Sequence, residues 1–253
     1  METKTVRTEY HDEVAVVKLE RGVTNPLNLQ LVNELAGALQ GVRHDADVRG
    51  LVLSSANTKF FSIGFDIPEL FELAEDDFAT FLRAFNRLCL DLYTLPKPTV
   101  AAITGHAIAG GCILALCCDY RFIAQGRKLM GLNEILLGVP VPYVADCILQ
   151  QVVGARNARD IAYTGQFYAP EALLQMSLVD RVLPSEQVQP QAVEKAEALG
   201  ALPPAAFAPI KRHRVETVEA RILKRLAEKE QVFIERWYSG EARERLREAM
   251  AKF

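Results

Sequence analysis

Lys97-Pro98-Thr99-Val100-Ala101-Ala102-Ile103-Thr104-Gly105-His106-Ala107-Ile108-Ala109-Gly110-Gly111-Cys112 runs on to Cys118 without another charged side chain. From Pro98 to Cys118 that makes 21 residues, the length of a membrane-spanning helix. Thr99, Thr104, His106 and three glycines, Gly105, Gly110 and Gly111, interrupt the apolar run. The stretch therefore reads as a buried strand (Thr99–Ile103), a turn of small residues and a buried helix (Gly110–Cys118). The same alternation recurs on either side. Val14–Leu19 and Gly50–Ser54 are short, β-branched or apolar runs of strand type, as is Tyr120–Ala124. Asn28 caps a helix on which Leu29, Val32, Leu35, Leu39 and Val42 recur at helical spacing. Phe78, Phe81, Leu82, Phe85, Leu88 and Leu92 mark one face of another. Strand and helix alternating at about 30–40 residues predict an α/β core with a mainly parallel sheet.

After about Pro184 the composition changes. Glu186 to Lys252 is rich in Ala, Glu, Arg and Leu, is broken by Pro203-Pro204 and Gly240, and reads as three or four helices. The chain thus divides into a core over residues 1–185 and a helical region over 186–253, which packs on the core or on a neighbouring subunit.

The chain has 253 residues, half of them hydrophobic, enough for a large core and too many for a disordered chain. Its 29 Lys and Arg against 32 Asp and Glu give a net charge of −3, without the basic excess of a nucleic-acid binder. Five cysteines at 89, 112, 117, 118 and 147 are an odd number without zinc spacing, and read as free buried thiols in a reducing compartment. The N-terminus carries acids and no apolar core, unlike a secretory or transit peptide, so a cytoplasmic protein without a membrane or metal partner is expected.

Three segments are candidates for chemistry. Ser62-Ile63-Gly64-Phe65-Asp66-Ile67 lies between a strand and a short helical stretch, where a glycine lets backbone amides turn into a cleft; a plain turn with a helix cap has the same pattern. Gly105 to Cys112 opens a helix after a strand, and matches neither a dinucleotide nor a phosphate loop. Amides from two such loops aimed at one oxygen would make an oxyanion hole. Glu134 is the only charge between Lys128 and Asp146, and is either exposed at an edge or buried at a site, where its pKa would rise toward neutrality. His106 in its small-residue turn reads as structural, and Cys117-Cys118 as helix core.

Together Phe61-Ser62-Ile63-Gly64-Phe65-Asp66-Ile67, the Lys97–Cys112 stretch and Cys118-Asp119-Tyr120-Arg121 resemble the enoyl-CoA hydratase/isomerase (crotonase) superfamily, as does Leu178–Pro184 ahead of the helical tail. The resemblance runs from about Val14 to the C-terminus. It implies a crotonase-like spiral of β-β-α units with a C-terminal helical trimerisation region, and a homotrimer or hexamer. It also implies an acyl-CoA substrate, with coenzyme A as part of that substrate and no separate cofactor. The thioester oxygen would be held by the amides of Phe65 and Gly110, and Ile63, Gly64, Asp66, Ile67, Ile113 and Asn133 would line the substrate.

Hydratases of the family carry two glutamates. Here the first position is Ile113 and the second Glu134, in Gly131-Leu132-Asn133-Glu134, similar to the mitochondrial-type Δ3,Δ2-enoyl-CoA isomerases. Adding water needs two proton-handling groups, whereas moving a double bond needs one. The resemblance therefore implies an isomerase with Glu134 as its catalytic base. A hydratase, a thioester hydrolase and a non-catalytic acyl-CoA-binding trimer are the competing readings; Ile113 speaks against the first and Glu134 against the last.

Overall fold

The computed structural model describes residues 4–251. The chain opens with the hairpin β1 (Val6–His11) and β2 (Val14–Leu19), then β3 (Pro26–Leu27) and α1 (Leu29–His44). There follow β4 (Gly50–Ser55), β5 (Phe60–Ser62), β6 (Gly64–Phe65), α2 (Ile67–Phe71) and α3 (Glu75–Tyr93). The opening stretch becomes β7 (Thr99–Ile103), β8 (His106–Ile108) and α4 (Gly110–Leu116). Next come β9 (Tyr120–Ala124), β10 (Met130–Gly131), a 3-10 turn (Glu134–Leu137) and α5 (Tyr143–Thr164). The chain continues with β11 (Phe167–Tyr168), α6 (Pro170–Gln175) and β12 (Arg181–Leu183), and closes with α7 (Ser185–Gly200), α8 (Pro204–Trp237) and α9 (Gly240–Met250).

Successive turns of the chain add strands to two sheets. β4, β7, β9 and β12 enter the large sheet, ordered β1-β2-β4-β7-β9-β12 and parallel except for the β1–β2 hairpin. β5, β8 and β10 run parallel in a small sheet, closed at its edge by antiparallel β11. This is the spiral of β-β-α turns that the resemblance implied. Local chemistry fixes its pieces: Asn28 Oδ1 accepts from the Leu31 amide at 3.0 Å and starts α1, whose Val32, Leu35, Leu39 and Val42 are buried. All six apolar residues expected on one face of α3 are buried as well.

No helix among the described residues is long and apolar enough to cross a membrane, since the uncharged run is divided between two strands and a short helix. The five cysteines are free and buried. Strand β1 was not legible in the sequence, because an edge strand exposes most of its side chains and Val6–His11 alternates polar and charged residues. The helical tail packs on this same chain. Val188, Ala192 and Ala196 of α7 cover Val16, Val52, Val100 and Phe122 on the outer face of the large sheet. Ala196 comes so close that a Cβ on Gly50 would lie 3.1 Å from its carbonyl oxygen. Helix α8 packs on α5 and α3, and α9 packs on the Glu134–Leu137 turn and on α2.

Candidate active site

Because β5, β8 and β10 are parallel neighbours, the segments leaving their C-terminal ends converge. A cavity of about 240 Å³ opens there. Ile63, Phe65 and Ile67 line it from the first segment, Ile108, Ala109 and Gly110 from the second, and Asn133, Glu134 and Leu137 from the third. Its remaining wall includes Phe233 and Trp237 of α8 and Ala249 of α9.

The first two segments touch through their backbones. Gly64 has φ +95°, and a Cβ on it would lie 2.9 Å from the Ile108 oxygen and 3.0 Å from the Gly110 nitrogen. A Cβ on Gly111 would collide with the Ser62 carbonyl. Only glycine permits this approach between the segments that carry Phe65 and Gly110. Gly110 is the first residue of α4, so its N–H has no acceptor within the helix. The Asp66 amide donates to Leu27 O on β3 at 2.9 Å, so by the alternation of the strand the Phe65 amide points away from β3. Between the segments, Ala109 sits at φ 47°, ψ −115°, a left-handed conformation that a non-glycine residue adopts only under strain. Its amide is tied to Gly131 O at 2.9 Å, which links the second segment to the third.

Glu134 is buried, with 5% of its surface exposed, and its Oε2 has no hydrogen-bond partner among the described residues. Burial pushes its carboxyl up to about 7, against a smaller opposing pull from its own backbone amide. It is the only ionisable side chain among the described residues lining the cavity. A carboxyl that is buried, with one oxygen free of partners, and poised near neutrality can take up and release a proton there.

Three residues expected at the substrate lie outside the lining. Gly64 serves as the contact point between segments. Asp66 caps α2, accepting from the Glu69 amide at 3.2 Å, and pairs with Arg21 at 2.5 Å. Ile113 is packed in the core, 1% exposed. His106 stands at the other end of β8, where its Nδ1 accepts from the Leu129 amide at 3.1 Å and its ring lies 5.1 Å from that of Phe60. Burial, with Lys128 and Lys59 nearby, lowers its pKa, and the ring serves the strand rather than the cavity. The contribution of Phe233, Trp237 and Ala249 was missed, since nothing local connects a C-terminal helix to a turn 100 residues earlier; the one signal was that the chain spends its single tryptophan in that tail. Among the described residues no cluster of three or more His, Cys, Asp and Glu side chains is arranged to hold a metal ion.

A family model described as enoyl-CoA hydratase/isomerase matches residues 9–253. The mitochondrial enoyl-CoA delta isomerase 1 of Mus musculus is 36% identical over 188 residues, which is 74% of this chain and 65% of that protein. The Homo sapiens protein of the same name is 36% identical over 75% of this chain and 63% of its own length. The chain thus spans just under two thirds of these relatives. A probable enoyl-CoA hydratase of Mycobacterium tuberculosis is 29% identical over 90% of this chain and 87% of its own. Among solved structures, human mitochondrial delta3-delta2-enoyl-CoA isomerase superposes with TM-score 0.94 at 30% identity, covering 98% of this chain and 97% of that one. An enoyl-CoA hydratase from Bacillus halodurans superposes at 0.89 with 21% identity, over 96% and 99% of the two chains, a likeness of fold alone.

Proposed function

The chain belongs to the enoyl-CoA hydratase/isomerase family, and on that premise we propose that it is a Δ3,Δ2-enoyl-CoA isomerase acting through Glu134. The observation that carries the reading is the cavity with one carboxyl: Glu134 is buried, lacks a partner at Oε2 and has its pKa raised to about 7, while Ile113, which the resemblance sets at the position of a hydratase's other glutamate, lies in the core. In the proposed reaction the thioester oxygen of a 3-enoyl-CoA accepts hydrogen bonds from the Phe65 and Gly110 amides. The Glu134 carboxylate removes a proton from C2. The electron pair moves onto the thioester oxygen as a dienolate, which the two amides stabilise; losing one such donor costs on the order of 3–4 kcal/mol of transition-state stabilisation. The neutral Glu134 then returns the proton to C4, and the double bond finishes between C2 and C3. One proton leaves and one returns, so the step needs no redox partner, and coenzyme A enters only as part of the substrate.

The strained Ala109 turn and the glycine contacts support the oxyanion hole, because they fix two amides that α4 and β3 leave free. Syn addition of water needs a second group to deliver a proton, and the cavity lining holds no second acid or base among the described residues. We also propose a homotrimer or hexamer; Ile135, Leu136, Tyr163 and Val232, large apolar side chains exposed around the Glu134 turn, support an assembly that covers them. The test of the reaction is to incubate the protein with 3-hexenoyl-CoA and, separately, crotonyl-CoA, and to follow both products. Fast formation of 2-hexenoyl-CoA with little 3-hydroxybutyryl-CoA is expected; hydration at a comparable or greater rate would replace the isomerase reading by the hydratase one.

A further inference from the structure

Among the described residues four buried side-chain polar atoms lack a hydrogen-bond partner: Asn86 Oδ1, Asn133 Oδ1, Glu134 Oε2 and Trp237 Nε1. Three of the four belong to residues lining the one cavity. Such orphans are rare in folded proteins and call for an explanation at the site where they gather. The proposed reaction accounts for Glu134, and Asn133 stands beside it. It does not account for Trp237, whose indole N–H can donate a hydrogen bond but neither accept one nor shuttle a proton.

Trp237 is 1% exposed. Its ring is fixed by stacking on Phe78, with centroids 4.4 Å apart and planes 18° from parallel, and by Phe233 at 6.4 Å and 19°. A phenylalanine would serve that stack without bringing a polar atom. The neighbouring Tyr238, by contrast, has its hydroxyl satisfied by the Leu73 carbonyl at 2.8 Å. Burying an unmet N–H is unfavourable, and the cost is recovered when a ligand supplies the acceptor.

Resting on the reading of this cavity as an acyl-CoA site, we propose that Trp237 is a specificity-determining residue that selects acyl groups carrying an uncharged, hydrogen-bond-accepting oxygen beyond C4. The oxygen lies beyond C4 because C1 to C4 are engaged by the Phe65 and Gly110 amides and by Glu134. It is uncharged because no Lys, Arg or His is among the lining residues, and Glu134 already brings a carboxyl; a second carboxylate would be buried unpaired. A ketone or hydroxyl oxygen meets both conditions. An aliphatic chain of equal length leaves the indole unpaired, and sites built around a buried polar group reject the analogue that lacks its partner.

Calorimetric titration of the full-length protein with octanoyl-CoA and with 6-oxo-, 7-oxo- and 8-hydroxyoctanoyl-CoA tests this without relying on turnover. At least one oxygenated ligand is expected to bind the wild type about tenfold more tightly than octanoyl-CoA, with the ratio falling to about one in Trp237→Phe. Equal or weaker binding of every oxygenated ligand to the wild type would overturn the proposal before any variant is made, and so would a preference that survives Trp237→Phe. Isomerisation of 3-hexenoyl-CoA is measured on the same preparation. Isomerisation without an oxygen preference refutes the selector alone, a preference without isomerisation refutes the reaction alone, and failure of all four ligands to bind together with no isomerisation refutes both.

Discussion

Glu134 holds its carboxyl where a charge is poorly solvated, and the proposed reaction draws on that cost. Burial carries its pKa from 4.5 to about 7. Below pH 4.5 the carboxyl is neutral in folded and unfolded chains alike and its burial costs little. Between 4.5 and 7 the folded chain keeps a proton that the unfolded chain has released, so stability declines as pH rises. Above 7 the whole penalty is present, on the order of 3 kcal/mol. Glu134→Gln is therefore expected to raise the unfolding free energy at pH 8 by an amount approaching that figure and to change it little at pH 4, as read by denaturant titration at the two pH values. In the proposed reaction the carboxylate is the working form of the base, so kcat/KM of the wild type should climb with pH through about 7 and then level off. A profile flat from pH 5 to 9 would remove Glu134 from the role of base. The position of this acid in an apolar stretch was legible in the sequence. Its burial was not, because an isolated acid in such a stretch is equally compatible with an exposed edge, and the choice is made by α9 packing over the turn.

At the scale of elements, the small sheet does the positioning. Three parallel strands end together, and the chain leaving each contributes one part of the site: Phe65, Gly110 and Glu134. The strands and helices of this core follow from periodicity, so most of their bounds were legible: Val14–Leu19 and Thr99–Ile103 are strands over the residues expected. What periodicity does not carry is contact between loops. That Gly64 and Gly111 are spacers between two backbones, and that Asp66 pairs with Arg21 and lies outside the cavity lining, depends on segments about 45 residues apart meeting in space. Gly64→Ala tests the contact. Its Cβ would meet the Ile108 carbonyl at 2.9 Å in a backbone conformation unfavourable to alanine. A loss of about 1–3 kcal/mol in stability is expected, together with a fall in turnover larger than any fall in acyl-CoA affinity, as the two amides separate. Unchanged turnover in this variant would place the oxyanion hole elsewhere.

For the whole molecule, the C-terminal helices decide whether the site is closed. α7 covers the large sheet, α8 brings Phe233 and Trp237 to the cavity, and α9 lies over the Glu134 turn, with Ala242 so near Gly138 that a Cβ there would be 3.1 Å from its Cα. The sequence announced these helices by composition but not their destination, since amphipathic faces such as Ile222 and Phe233 do not say which surface they meet. Truncation after Pro184 should leave the outer face of the large sheet bare and give a protein that does not remain soluble; a soluble, active product on a sizing column would contradict this. Deletion from Gly240 onward is milder: it should open the cavity to water, weaken acyl-CoA binding and shift the pH dependence of turnover downward, as Glu134 regains solvent. Everything in the proposed reaction nonetheless passes through one carboxyl. The most direct measurement is the rate at which wild type and Glu134→Gln convert 3-hexenoyl-CoA to 2-hexenoyl-CoA at pH 8, with acyl-CoA affinity measured on both. A fall of about 10²–10⁴-fold in the variant, with affinity nearly intact, is the result expected of a lost general base, whereas a variant that isomerises at close to the wild-type rate would contradict the assignment of Glu134.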